Sequence, residues 1–187
     1  MAFGGNTANI QLGVGRLWYA PLGTAEPTNG SSSMPSAWNA IGYTEEGSTF
    51  TIELSAEEVY VAEELDPALY FNTKRTTKVK FSMAEATRKR LAIVLGMGAG
   101  ETNDASYLEP PNAGEEVGIM LVWDSEDDAN ANDQNIRWLF RKCKPTGSIE
   151  LARKKAPDKT LIPVEFNCEK PAAAKPFRVF PNADGLI

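Results

Sequence analysis

The chain has 187 residues, 42% hydrophobic and 24% charged, with 19 Lys and Arg against 25 Asp and Glu for a formal charge of -6. This length and balance suit one folded domain with a sizeable core, exclude a disordered chain, and set the overall field against nucleic acid and anionic membranes. With no histidine, there is no Ser-His-Asp or Cys-His relay, no His-ligated zinc and no ordinary general base near neutrality.

The opening MAFGGNTANIQ has neither a basic n-region nor an apolar h-region, and no apolar run approaches the ~20 residues of a bilayer span. A cytosolic product without a membrane partner is expected. Cys143 and Cys168 come without a C-x-x-C or a second pair, which leaves zinc unsupported. A reducing compartment favours free thiols, with a bridge as the alternative.

A strand is expected over Ile10 to Ala20, then a long loop at about 22–36 with Met34 as its large apolar residue. That loop reads as projecting, because the strand before it is too short to be a domain. In WNAIGYTEEGSTFTIEL, Glu45-Glu46-Gly47 is the expected turn between two strands. After it, Phe50, Ile52 and Leu54 share one face and Thr49, Thr51 and Glu53 the other.

The connection Glu63 to Phe71 carries Leu65, Leu69, Tyr70 and Phe71, rimmed by Glu63, Glu64 and Asp66, with Pro67 fixing its turn. Apolar side chains there mark an association surface, or a loop folded back over the monomer's own core. In KRTTKVKF, Lys74, Thr76, Lys78 and Lys80 alternate with Arg75, Thr77, Val79 and Phe81, so only the far end reads as half-buried.

Ser82 with Glu85 has the spacing of a capping box for a helix over AEATRKRLAIVL. Thr87, Leu91, Val94 and Leu95 form its stripe, Arg88, Lys89 and Arg90 face water, and Gly96 is the left-handed stop. Beyond it Ile119, Leu121 and Trp123 alternate with Met120, Val122 and Asp124, and Ile136, Trp138 and Phe140 with Arg137, Leu139 and Arg141. Ser148 to Lys154 and Lys159 to Cys168 form the last pair, with Ile162, Val164 and Phe166 apolar. The fold class is mainly β, a β-sandwich or barrel with one flanking α-helix. It occupies residues 1–187 as a single domain with N- and C-terminal arms.

Candidate chemistry is thin. Read as a calcium loop, Asp124 to Asn135 puts Ala129 where glycine is required and Asn135 where the bidentate Glu belongs, and a solvated hairpin tip explains the same residues. Gly13-Val14-Gly15 lacks a third glycine and a following helix, and Gly96 to Gly100 lies at the wrong end of a helix dipole for phosphate. Lys74, Arg75, Lys78, Lys80 and Arg153-Lys154-Lys155 are not interleaved with aromatics. Glu57-Glu58 and Glu63-Glu64 are adjacent and point to opposite faces of a strand. No catalytic residue, metal or cofactor is assigned, and an enzyme is not expected.

The order of W-N-A-I-G-Y-T-E-E-G-S-T-F-T-I-E-L, then E-E-V-Y-V-A-E-E-L-D-P, then T-K-R-T-T-K-V-K-F-S and a capped helix, over Trp38 to Gly96, resembles the major tail proteins, or tail tube proteins, of long-tailed, non-contractile bacteriophages. The resemblance implies a structural virion protein of the tail, assembled in the host cytoplasm, with six copies per ring and rings stacked into the conduit for DNA ejection. The implied partners are other copies of the chain, the tape measure protein, the tail terminator and tail-tip proteins, with DNA only in transit. Within such a ring, the length and polar alternate faces of Ser48 to Ala62 and Thr73 to Ser82, with Thr49, Thr51 and Glu53 opposed to Lys74, Thr76 and Lys78, lead to the expectation that these strands contribute to an inter-subunit β-barrel around the lumen. The loop Glu63, Glu64, Leu65, Asp66, Pro67, Leu69, Tyr70, Phe71 would reach the adjacent ring. Two alternatives stand beside it. One is a carbohydrate-binding module using Trp18, Trp38, Trp123 and Trp138 as stacking platforms, against which Trp123 and Trp138 sit on apolar strand faces. The other is a tail terminator or capsid decoration protein.

Overall fold

The computed structural model describes residues 15–30, 32–62, 65–99, 107–125, 136–151, 155 and 158–180. In chain order these form β1 (Gly15–Pro21), β2 (Asn39–Ala40), β3 (Thr44–Val59), β4 (Leu69–Met83), α1 (Arg88–Val94), β5 (Ile119–Ser125), β6 (Ile136–Thr146), β7 (Ile162–Cys168) and β8 (Phe177–Phe180). The strands make one sheet in the order β2-β1-β5-β6-β7-β4-β3, with β8 pairing β6 off that path.

The sheet curls until its inner face meets itself. Leu17 and Tyr19 of β1 share a core with Val79 and Phe81 of β4 and Val164 and Phe166 of β7, strands that are far apart in the pairing order. Helix α1 adds Ile93 and Val94 to that core. A mainly β, half-closed barrel with one helix results.

β5 is buried on both faces. Ile119 and Leu121 enter the inner core, whereas Met120 and Val122 join Ala20, Trp38 and Leu139 in a second, outer cluster. The loop at about 22–36 therefore does not project: Met34 packs on the outer cluster, and Trp38 donates its Nε1–H to the Ala25 carbonyl at 2.9 Å. Arg137 and Arg141 of β6 hold the loop down, Arg137 through the Asn29 carbonyl (2.9 Å) and Arg141 through both carboxylate oxygens of Glu26 (2.5 and 3.0 Å). A polar loop becomes a strap because the outer sheet face presents apolar surface between two cations that need partners.

Other local expectations are corrected. Glu45-Glu46-Gly47 is not a turn but an irregularity inside one 16-residue strand, for Glu45 pairs with Ser82 and Ser48 with Phe81. Gly47 takes φ 77° there, a conformation open to glycine at no steric cost. The Ser82/Glu85 capping box does not form. Ser82 stays in β4, the Glu85 carboxylate accepts from the Tyr43 N–H, and Thr87 is the N-cap, its hydroxyl accepting from the Arg90 N–H. The buried helix residues are Ala92, Ile93 and Val94; of the expected stripe only Val94 is fully buried, while Leu91 and Leu95 are half-buried and Thr87 is exposed. Arg90 is not solvent-facing, since it donates to the Ile41 and Ala40 carbonyls (2.5 and 2.6 Å) and the Tyr19 hydroxyl (3.0 Å). Gly96 does end the helix, at φ 77°. Residues 148–151 form no strand, and β7 begins at Ile162.

Candidate functional site

The hairpin of β3 and β4 is anchored at its base by aromatic packing. Phe50 lies 5.0 Å, centroid to centroid, from Trp138 and from Phe140 and 5.8 Å from Phe177, and the Arg75 guanidinium sits 5.5 Å from the Phe177 ring. Along β4 the core residues are Val79, Phe81 and Met83, with the polar Thr77 buried beside them. Beyond Phe50 the core ends while the strands continue: Ile52 is 41% and Leu54 61% exposed.

The lumen candidates come together in register. Thr49 pairs with Lys80, Thr51 with Lys78, Glu53 with Thr76, and Lys74 with Ser55. Two rows then run across four strands, Thr49–Lys80–Glu165–Thr146 and Thr51–Lys78–Asn167–Lys144, so along these rows, from β3 to the end of β6, this face is polar. Glu165 binds both Lys80 (2.7 Å) and Lys78 (3.4 Å). The hydrogen bond from Lys80, and then the one from Lys78, holds its carboxyl below the usual range. Glu165 thereby neutralises part of a lysine-rich face, a pairing that alternation along single strands could not reveal.

The tip candidates divide. Glu63 and Glu64 lie outside the described residues. Leu65 is 99% exposed, Asp66 is exposed and Pro67 half-buried. The Ala68 N–H donates to the Val59 carbonyl at 2.8 Å and closes the turn. Leu69, Tyr70 and Phe71 are not part of a connection: they open β4, opposite Val59, Glu58 and Glu57. Of fifteen large apolar side chains exposed among the described residues, nine lie on this hairpin or its turn. β3 is also the terminal strand of the sheet order, so its outer edge carries a row of main-chain groups without a partner strand among the described residues.

The other candidates disperse. Trp38 is buried and Trp18, Trp123 and Trp138 are partly buried against the two cores, so the four indoles make no exposed platform. Of the Asp124 to Asn135 segment only Asp124 and Ser125 are described, and Asp124 is bound to Arg137 at 2.8 Å. Arg153 and Lys154 lie outside the described residues, as do Gly13, Val14 and Gly100. Gly15 has a packing reason: a Cβ there would come 2.1 Å from Trp123 Nε1. Sequence reasoning missed the strap over the outer face, although Arg137, Leu139 and Arg141 alternating on one strand was its signal.

No curated protein matches the chain. Among solved structures it is similar to a chain in the cryo-EM structure of the anti-feeding prophage baseplate, 6-fold symmetrised, with 9% identity, a TM-score of 0.50, and coverage of 98% of this chain and 99% of that one. At that identity the likeness concerns the fold, which agrees with a curled sheet and one helix. A family profile described as phage tail tube protein matches residues 4–182, nearly the whole chain, so with its edge strand and apolar hairpin this chain belongs to the phage tail tube protein family, a structural component of the virion tail.

Proposed function

We propose that the chain is the ring subunit of a long, non-contractile phage tail, folded as one domain over residues 1–187, assembled in the host cytoplasm, with six copies per ring and rings stacked into the conduit for DNA. The observation that carries this reading is the β3–β4 hairpin. A strand of 16 residues extends about 50 Å, while a globule of this length has a radius of gyration of about 16 Å. The hairpin thus outruns its own core and carries nine exposed large apolar side chains.

An edge strand of this length pairs with another chain, and a head-to-tail contact that closes by rotation gives a ring. The polar face through Thr49, Thr51, Glu53, Lys74, Thr76 and Lys78 then faces the lumen, and the tip from Glu63 to Phe71 contacts the next ring. Tape measure, terminator and tail-tip proteins would meet the two ends of such a tube. The 6-fold symmetry of the baseplate containing the similar fold supports the ring number.

Electron microscopy of the purified full chain tests the reading. Stacked six-fold rings with β3 and β4 on the inner wall are expected, and virions should show this tube without a sheath. A lasting monomer, or tubes with Thr49 and Lys78 on the outside, would overturn it.

A further inference from the structure

β6 changes partner along its length: Arg137 to Phe140 pair with β8, and Cys143 to Thr146 pair with β7. Cys143 and Cys168 are opposed at that fork, both thiols free, with Sγ atoms 3.4 Å apart. The Glu169 N–H donates to the Lys142 carbonyl at 2.7 Å. Residues 142 and 169 are therefore the hydrogen-bonded pair of the antiparallel ladder, and Cys143 and Cys168 the non-hydrogen-bonded pair beside it. Cα atoms in such pairs lie about 4.5 Å apart, within the roughly 4.4–6.8 Å that a disulfide spans, so the backbone need not move for a bond to form.

We propose that Cys143 and Cys168 are an oxidation site, reduced when the chain is made and closing into a cross-strand disulfide between β6 and β7 when a small-molecule disulfide is the oxidant. Cys168 is partly exposed and Cys143 fully buried, which sets the order of events. The Cys168 thiolate attacks one sulfur of oxidised glutathione, breaks its S–S bond, and releases one glutathione thiolate. Cys143 then loses its proton to solvent and attacks the Cys168 sulfur, expelling the second glutathione thiolate. Two protein thiols are oxidised and one glutathione disulfide is reduced to two thiols. The second step is slow, because burial pushes the Cys143 thiol well up. The bond staples the fork where β6 leaves β7 for β8, and it closes a loop through the 147–161 connection.

The experiment uses the full chain purified under reductant and then incubated with oxidised glutathione. Both thiols should disappear from titration in denaturant, the mass should fall by two hydrogen atoms, and the melting temperature should rise by about 10 °C, reversibly with a phosphine reductant. Cys143→Ser should stop at a glutathione adduct on Cys168. Wild-type protein that keeps two titratable thiols, stops at the adduct, or links covalently to a second chain would overturn the proposal.

Discussion

Arg141 and Glu26 are 115 residues apart in the chain and meet through two hydrogen bonds, Nε to Oε1 at 2.5 Å and Nη2 to Oε2 at 3.0 Å. Arg178 joins the same carboxylate at 2.9 Å. This pairing fastens the strap to the outer face of the sheet, and removing the carboxylate leaves the mostly buried Arg141 without its counter-charge. Glu26→Ala should lower stability by about 1–3 kcal/mol in urea unfolding. A change within about 0.5 kcal/mol, usual for plain surface sites, would show that the strap is not held there.

Acid should weaken the same contacts. Glu26 is held below its ordinary value first by its hydrogen bond with Arg141, and Glu165 first by that with Lys80. A carboxyl whose folded pKa is depressed contributes stability above its unfolded pKa and loses it as pH falls through the folded value. The melting temperature should therefore stay level from neutrality to about pH 5 and fall below about pH 4.5. Glu26→Gln, measured by the same thermal scans, should show a smaller fall.

Leu65, Leu69 and Tyr70 are exposed by 99%, 51% and 65%, so replacing all three with Ser removes little buried surface. The variant should keep the wild-type circular dichroism and form rings at most, with no tubes by electron microscopy. Normal tubes would remove the tip from the stacking contact, and an unfolded variant would show that these residues support the monomer.

Glu165 is the shared partner of Lys78 and Lys80. If their face lines the lumen, Glu165→Gln unmasks cations along the inner wall. Tubes of this variant should retain DNA at low salt and release it between about 50 and 200 mM salt, while wild-type tubes let it pass. Equal retention by both, in a filter assay across that range, would argue against the lumen assignment.

What depends on near neighbours was legible from the residues alone. Alternation picked out Val79 and Phe81, and Ile162, Val164 and Phe166, as buried faces, because a strand's side chains change face at every residue whatever the partner. Gly96 was readable as a helix stop because the left-handed conformation it adopts is open to glycine. The polar set from Thr49 to Lys78 was legible for the same reason as the apolar ones. Tertiary structure decided the rest. Glu45-Glu46-Gly47 suits a turn or an irregularity equally, and it became the latter because both flanking segments found β4. Thr87, not Ser82, caps the helix because Ser82 is already paired with Glu45 and Pro163 in the sheet. Arg90 left water for the carbonyls of Ala40 and Ile41, and Arg141 for Glu26, since the partners that repay a cation's desolvation lie about 50 and 115 residues away. Local sterics travel with the sequence, whereas the solvation of a charge and the pairing of an edge are set by whatever the fold brings beside them.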